Sequence, residues 1–145
     1  QTTPNPGSIG IIGTNATLVA NCDVIGWENG CRLNNLGGTV IGGRWENNGV
    51  AVVLGQTDDA TTILQASGVL LSGLSVESSY YAGIYVSSAQ AATITGCAIT
   101  ANVANRSTYG IRINSANNIS INDTVYEFCT HLLWIALYGP SQTRK

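Results

Sequence analysis

Apolar and polar residues alternate along this chain in short runs, each closed within a few residues by Gly, Asn or Ser. One set of runs follows a glycine: "GCRL" (30–33), "GVAV" (49–52), "GIYV" (83–86) and "GIRI" (110–113). Their two-residue period is that of a short strand with one buried face. A second set reads "ATLVANCDV" (16–24), "GTVIGGRW" (38–45), "GVLLSGLSV" (68–76), "AATITGCAI" (91–99) and "NISINDTVY" (118–126). Its members share apolar-x-apolar-x, then Gly, Asn or Asp, then x-x-apolar. The two sets alternate strictly. With Val19, Val40, Leu71, Ile94 and Ile121 taken as equivalent, the spacings are 21, 31, 23 and 27 residues.

Units of this size, with two or three short strands and no helix between them, cannot bury an apolar face alone. Stacked on copies of themselves they can. Parallel strands in a Rossmann or barrel fold need crossover helices, and none is encoded here. A sandwich would want longer strands joined as hairpins. The pattern predicts an all-β parallel β-helix of about five short coils, each laid about 4.8 Å above the last. Inward ladders should then read Val19/Val40/Leu71/Ile94/Ile121, Cys31/Val50/Ile84/Ile111 and Val24/Trp45/Val76/Ile99/Tyr126. Asn21, Gly42, Gly73, Gly96 and Asp123 should form a bend with positive φ, which these residue types tolerate best. The near-echo of "GWENGCRL" (26–33) in "GRWENNGVAV" (43–52) reads as one corner on two successive coils, although the ladder pairs Trp45 with Val24 and not with Trp27.

Domain organisation follows from where the repeat holds. Residues 1–15 read as a Pro/Gly linker or N-terminal cap, 16–127 as the β-helix, and 128–145 as a C-terminal cap or oligomer contact. Two insertions, 55–66 and 102–108, should become surface loops, the first carrying Asp58 and Asp59. Two adjacent aspartates fall far short of the six to eight oxygens calcium takes, so a plain polar loop is the simpler reading.

Composition supports a packed, uncharged solenoid. Gly, Asn, Ser and Thr make up about two fifths of the chain, charged residues 10% against a usual ~25%. Hydrophobic residues at 44% and a net charge of −2 argue against disorder. The six basic residues are scattered and leave no footprint for nucleic acid. The longest apolar run, "LLWIALY" (132–138), is too short to insert in a membrane. The absence of Met suggests a processed or excised chain. Cys22, Cys31, Cys97 and Cys129 show no C-x-x-C spacing, and the single His131 cannot complete a zinc set, so no metal or other cofactor is expected. Cys22 and Cys97 fall in one column about three coils apart, too far to bridge. Free, buried thiols are expected. The four Asn-x-Ser/Thr triplets are what chance gives at this composition.

With its repeats aligned, the chain resembles the right-handed parallel β-helix proteins of the pectin-lyase-like superfamily over about residues 16–127. That group includes polysaccharide lyases, glycoside hydrolases and bacteriophage tailspikes. The calcium-binding aspartates of pectate lyases are not recognisable here. The Asn/Ser/Thr/Gly-rich, charge-poor character is most similar to a tailspike or tail-fibre segment. That resemblance implies a homotrimer on a virion tail, or otherwise extracellular, that recognises bacterial surface polysaccharide as host receptor.

Three functions stay open: a glycan-binding domain, a small or truncated glycoside hydrolase or polysaccharide lyase, and a structural shaft. For the enzyme, Glu46 and Glu77 should occupy one outward column on neighbouring coils, where close carboxylates can serve as an acid/base pair. Solvated corner glutamates explain the same letters. For binding, Tyr80 and Tyr81 sit in a corner and Tyr85 takes an outward slot shared with Arg32 and Arg112, with Ala51 between. Flat aromatic faces and guanidinium donors suit sugars. Packing under a loop or against another subunit would account for Tyr80 and Tyr81 equally. Trp45 belongs with the core. A lone His131 near the chain end is not expected to act as a base. The dense apolar segment 132–138 comes too late for a regular coil and is expected to meet a threefold partner.

Overall fold

The computed structural model describes residues 4–57, 63–101 and 109–135. It is all strand and turn. The first coil holds β1 (Asn5–Gly13), β2 (Thr17–Ala20) and β3 (Asp23–Ile25); the second holds β4 (Trp27–Leu33), β5 (Asn35–Ile41) and β6 (Arg44–Glu46). The third has β7 (Val50–Leu54), the two-residue strands β8 (Gln56–Thr57) and β9 (Ile63–Leu64), then β10 (Ala66–Ser72) and β11 (Ser75–Glu77). The fourth has β12 (Ala82–Val86), β13 (Ala89–Thr95) and β14 (Ala98–Thr100). The fifth has β15 (Tyr109–Ile113), β16 (Ala116–Asn122) and β17 (Val125–Glu127), and β18 (His131–Ile135) begins a sixth.

Equivalent strands pair in parallel into three sheets. Sheet A runs β1-β4-β7-β12-β15-β18, sheet B β2-β5-β10-β13-β16, and sheet C β3-β6-β11-β14-β17. This is a parallel β-helix of five coils and one further strand. In sheet B the register Val19↔Val40↔Leu71↔Ile94↔Ile121 is the ladder the sequence predicts. In sheet C, Val24↔Trp45↔Val76↔Ile99↔Tyr126 is likewise as expected. The predicted bend is present, with φ of 51° at Asn21, 61° at Gly42, 66° at Gly73, 62° at Gly96 and 48° at Asp123. An L side chain with a short polar arm tolerates that region, and glycine enters it freely.

The core is the line of these ladders. Trp45, Leu54, Leu71, Ile84 and Ile94 are fully buried. The indole N–H of Trp45 donates to the Gly42 carbonyl at 3.2 Å, so the ring enters the core with its one polar atom satisfied. Asn48, also fully buried, donates through Nδ2 to the Val24 carbonyl and accepts the Trp27 N–H through Oδ1, both at 2.9 Å. All four cysteines are free.

Sheet A departs from the expected register in one strand. Cys31 and Ile84 face Val52, not Val50, which lies opposite Asn29 and Ala82. Arg32 and Tyr85 therefore flank Val53, not Ala51. A two-residue slip leaves a strictly alternating pattern unchanged, so alternation could not reveal it. The two Trp-Glu-Asn stretches are not one corner repeated. Trp45 lies in β6 of sheet C, and Trp27 opens β4 of sheet A, where it is 40% exposed.

The chain ends also extend the stack. Residues 5–13 form the first strand of sheet A against β4. Residues 131–135, expected to leave the coils, stay in register with β15: His131 faces Tyr109 and Trp134 faces Arg112. The 55–66 insertion begins and ends as the antiparallel pair β8–β9. Asp58, Asp59 and the 102–108 insertion lie outside the described residues.

Two predictions follow from this core. Ile94 is fully buried while its neighbour Thr95 faces outward, so Ile94→Asp should abolish cooperative folding by burying an unpaired charge. Thr95→Asp should stay within about 0.5 kcal/mol of the parent in denaturant unfolding. Equal damage from both would refute the register. The second concerns alkaline stability. Burial, with a smaller contribution from Cys22, pushes the Cys31 thiol up from 9.0 to about 12. A raised folded-state value means the unfolded chain loses this proton first. The stabilisation is complete below pH 9 and is lost as pH climbs towards 12. Cys31→Val should flatten that fall in unfolding midpoints between pH 9 and 11. Parallel slopes for variant and parent would contradict it.

Candidate functional site

The outer face of sheet A is where chemistry gathers, and a break in strand alternation creates it. Along β7, Ala51 and Val52 are consecutive residues of the main core. Val50 and Val53 on either side are thrown outward, into a separate small cluster with Ala82, Tyr85 and Tyr109. The same position in other coils is glycine because space is short. A Cβ on Gly83 would lie 2.5 Å from Ile99 Cγ2, and one on Gly110 would lie 2.5 Å from the Tyr126 ring. Two inward residues in succession therefore put both Tyr109 and Arg112 on the outside.

Register then aligns the outer columns. Arg32, Val53, Tyr85, Arg112 and Trp134 succeed one another across sheet A. Asn29, Val50, Ala82, Tyr109 and His131 form the column beside them. Tyr81, in the corner leading into β12, completes the group.

Arg112 is the hub. Its guanidinium carbon stands 4.8 Å from the centre of the Trp134 ring, 5.1 Å from Tyr109, 5.2 Å from Tyr81 and 5.6 Å from Tyr85. All are within the range where a cation is drawn to an aromatic ring, worth about 0.5–1 kcal/mol per contact at exposed sites. The rings also touch one another. Tyr81 meets Tyr85 and Tyr109 edge-on at 6.1 and 5.8 Å, and Tyr109 lies 5.3 Å from the His131 ring. Asn114 ties the hub to its neighbour: it accepts from Arg112 Nε at 3.2 Å and donates through Nδ2 to the Tyr85 hydroxyl at 2.6 Å.

Beside this cluster is a hollow of about 250 Å³ lined by Glu28, Asn29, Gly49, Val50, Tyr81 and Tyr85. Its walls mix ring edges, an aliphatic floor and a few polar groups. That is the make-up of a small-ligand site.

Of the sequence candidates, Tyr81, Tyr85 and Arg112 come together. Tyr80 is the half-buried residue before Tyr81, its N–H bonded to the Asn48 carbonyl at 2.9 Å. Glu46 and Glu77 are register partners on neighbouring strands of sheet C, round the corner from the aromatic cluster. Glu46 is held by Arg44 at 3.5 Å and by the Asn47 side-chain amide at 3.1 Å. Glu77 accepts from the Ser75 hydroxyl at 3.3 Å. The two candidate sets thus lie on different sheets.

Sequence reasoning missed Tyr109, Asn114 and the part played by Trp134. Strict alternation assigns Tyr109 to the same face as Ile111. The signal against it was the glycine recurring at 30, 83 and 110, which marks a position too tight for a side chain. Among the described residues no group of three or more His, Cys, Asp or Glu side chains is placed to hold a metal ion, and no helix is long and apolar enough to cross a membrane.

Comparison with known proteins adds one finding. Neither the curated proteins nor the solved structures gave a match to this chain. The profile described as "Right handed beta helix region" matches residues 4–140, nearly the whole chain and every described strand. With its three parallel sheets and five stacked coils, the chain belongs to the right-handed β-helix family.

Proposed function

We propose that this right-handed β-helix domain binds carbohydrate on the outer face of sheet A. The observation that carries the reading is the cluster of four rings around Arg112, beside the hollow that Tyr81 and Tyr85 wall. A pyranose presents apolar C–H faces and a rim of hydroxyls. Rings of moderate exposure take the former, and fixed donors such as Arg112 and Asn114 take the latter. Mutual stacking holds the rings in place before the ligand arrives, which lowers the entropy lost on binding. The finer form of the proposal is a trimeric tailspike-like domain that recognises bacterial surface polysaccharide. The exposed apolar residues of the last coil (Phe128, Leu132 and Ile135) are consistent with an assembly contact there. Sedimentation giving a monomer for the intact chain would remove the trimer.

The binding test uses a panel of bacterial surface polysaccharides with the parent chain and Tyr81→Ala, a ring that is 38% exposed. Loss of that ring should weaken binding about tenfold while leaving the unfolding midpoint nearly unchanged, as for a well-placed aromatic anchor. Undiminished binding by Tyr81→Ala would move the site elsewhere, and no binding by the parent favours a structural shaft.

A second reading rests on the adjacency of Glu46 and Glu77 in sheet C. As an acid/base pair they would cleave a glycan lying across sheet C, and Glu46→Gln or Glu77→Gln should lower the release of new reducing ends by orders of magnitude. Full activity in both variants takes these carboxylates out of the mechanism.

A further inference from the structure

The charges around the aromatic face are unequal along its length, and that bears on which carbohydrate fits. This inference rests on the carbohydrate reading above and narrows it. At one end, Arg112 has rings packed about its guanidinium. Its Nε is taken by the neutral Asn114. Both ion pairs seen among the described residues belong to Arg44, so no carboxylate neutralises Arg112 there. Contact with rings leaves a guanidinium its N–H donors, and those beyond Nε are what a carboxylate takes in bidentate fashion. The site thus holds a cation that no carboxylate of the described residues pairs.

At the other end the sign reverses. Glu28 lines the hollow, together with Asn29 and the aliphatic Val50. Its Oε2 accepts the Gly7 N–H, which fixes the carboxylate in position. A second carboxylate entering this hollow would meet a like charge and an apolar floor. A hydroxyl-bearing ring would instead find an acceptor in Glu28 and both a donor and an acceptor in Asn29. Glu28 lies in β4 and Arg112 in β15, with β7 and β12 between them. Three strand steps separate the two ends by roughly 14 Å along the stack. Tyr81 and Tyr85 belong to both, as walls of the hollow and as rings over Arg112.

We propose that the site takes a glycan acidic at some sugars but not at every one, with a sugar carboxylate on the Arg112 guanidinium and an uncharged ring in the Glu28 hollow. A polymer charged at each residue would gain at Arg112 and lose at Glu28. A neutral polymer would leave the Arg112 cation unmatched.

Three hexasaccharides separate these cases: a hyaluronan hexasaccharide, acidic at alternate sugars; hexagalacturonate, acidic at each; and chitohexaose, acidic at none. Titration calorimetry of the intact chain should give the order hyaluronan first, with affinity falling as salt rises. Arg112→Gln should weaken the hyaluronan oligomer about tenfold more than it weakens chitohexaose, the size expected for one charge-assisted contact. Glu28→Gln should strengthen hexagalacturonate several-fold. Circular dichroism on each variant separates lost binding from lost folding. If chitohexaose binds as tightly as the hyaluronan oligomer, or Arg112→Gln weakens both alike, the charge assignment falls while the carbohydrate reading stands. Hexagalacturonate binding tightest would overturn the role given to Glu28. If none of the three binds and Tyr81→Ala leaves polysaccharide binding unchanged, both readings fall.

Discussion

A strand of nine residues or fewer has too little apolar surface to hold itself in place, and every described strand is that short. What makes the fold possible is that each residue sits on its counterpart one coil away. Backbone groups pair up and down the stack, and side chains pack like on like. Val40 lies between Val19 and Leu71, and Leu71 between Val40 and Ile94. Burial is therefore a property of columns, and no single coil owns it. Ile121 and Tyr126 continue the same columns in the last described coil, where they are half-buried.

The same rule builds the surface. A side chain facing outward is brought beside those a coil above and below it, whatever the distance in sequence. Tyr85, Arg112 and Trp134 are neighbours because β12, β15 and β18 are in register. Arg112 then meets three tyrosines and a tryptophan drawn from three strands and a corner. Nothing in the local sequence around Arg112 holds more than one of these rings.

This explains what could be read from the letters and what could not. The sheet B and sheet C ladders were legible because their strands share a bend residue of restricted type, which pins the alignment absolutely. The Glu46–Glu77 pairing came with them. Sheet A strands lack such a pin. The glycine at position 49 resembles those at 30, 83 and 110, but it sits two places off, and alternation is blind to an even shift. Tyr109 was hidden for a different reason. Its strand carries two inward residues in a row, so the two-residue period fails where the chain turns from sheet C into sheet A. The continuation of sheet A through residues 131–135 was hidden by its own composition. Leu132, Leu133 and Ile135 are dense enough in apolar surface to read as a cap, yet they stay exposed on the strand they form.

The corner that carries Tyr81 shows how such a surface can be acquired. Between the bend at Gly26 and the strand position of Asn29 there are two residues, and likewise between Asn47 and Val50. Between Ser78 and Ala82 there are three. The added residue is absorbed where the N–H groups of Tyr81 and Ala82 both converge on the Gly49 carbonyl, at 2.8 and 3.4 Å. Strands on both sides keep their register, and the core is untouched. A coil can thus gain a single residue at its corner and present a new ring to the groove without repacking anything beneath. In a solenoid of this kind the corners are the places where novelty is tolerated, and the columns are the ledger of what must stay the same.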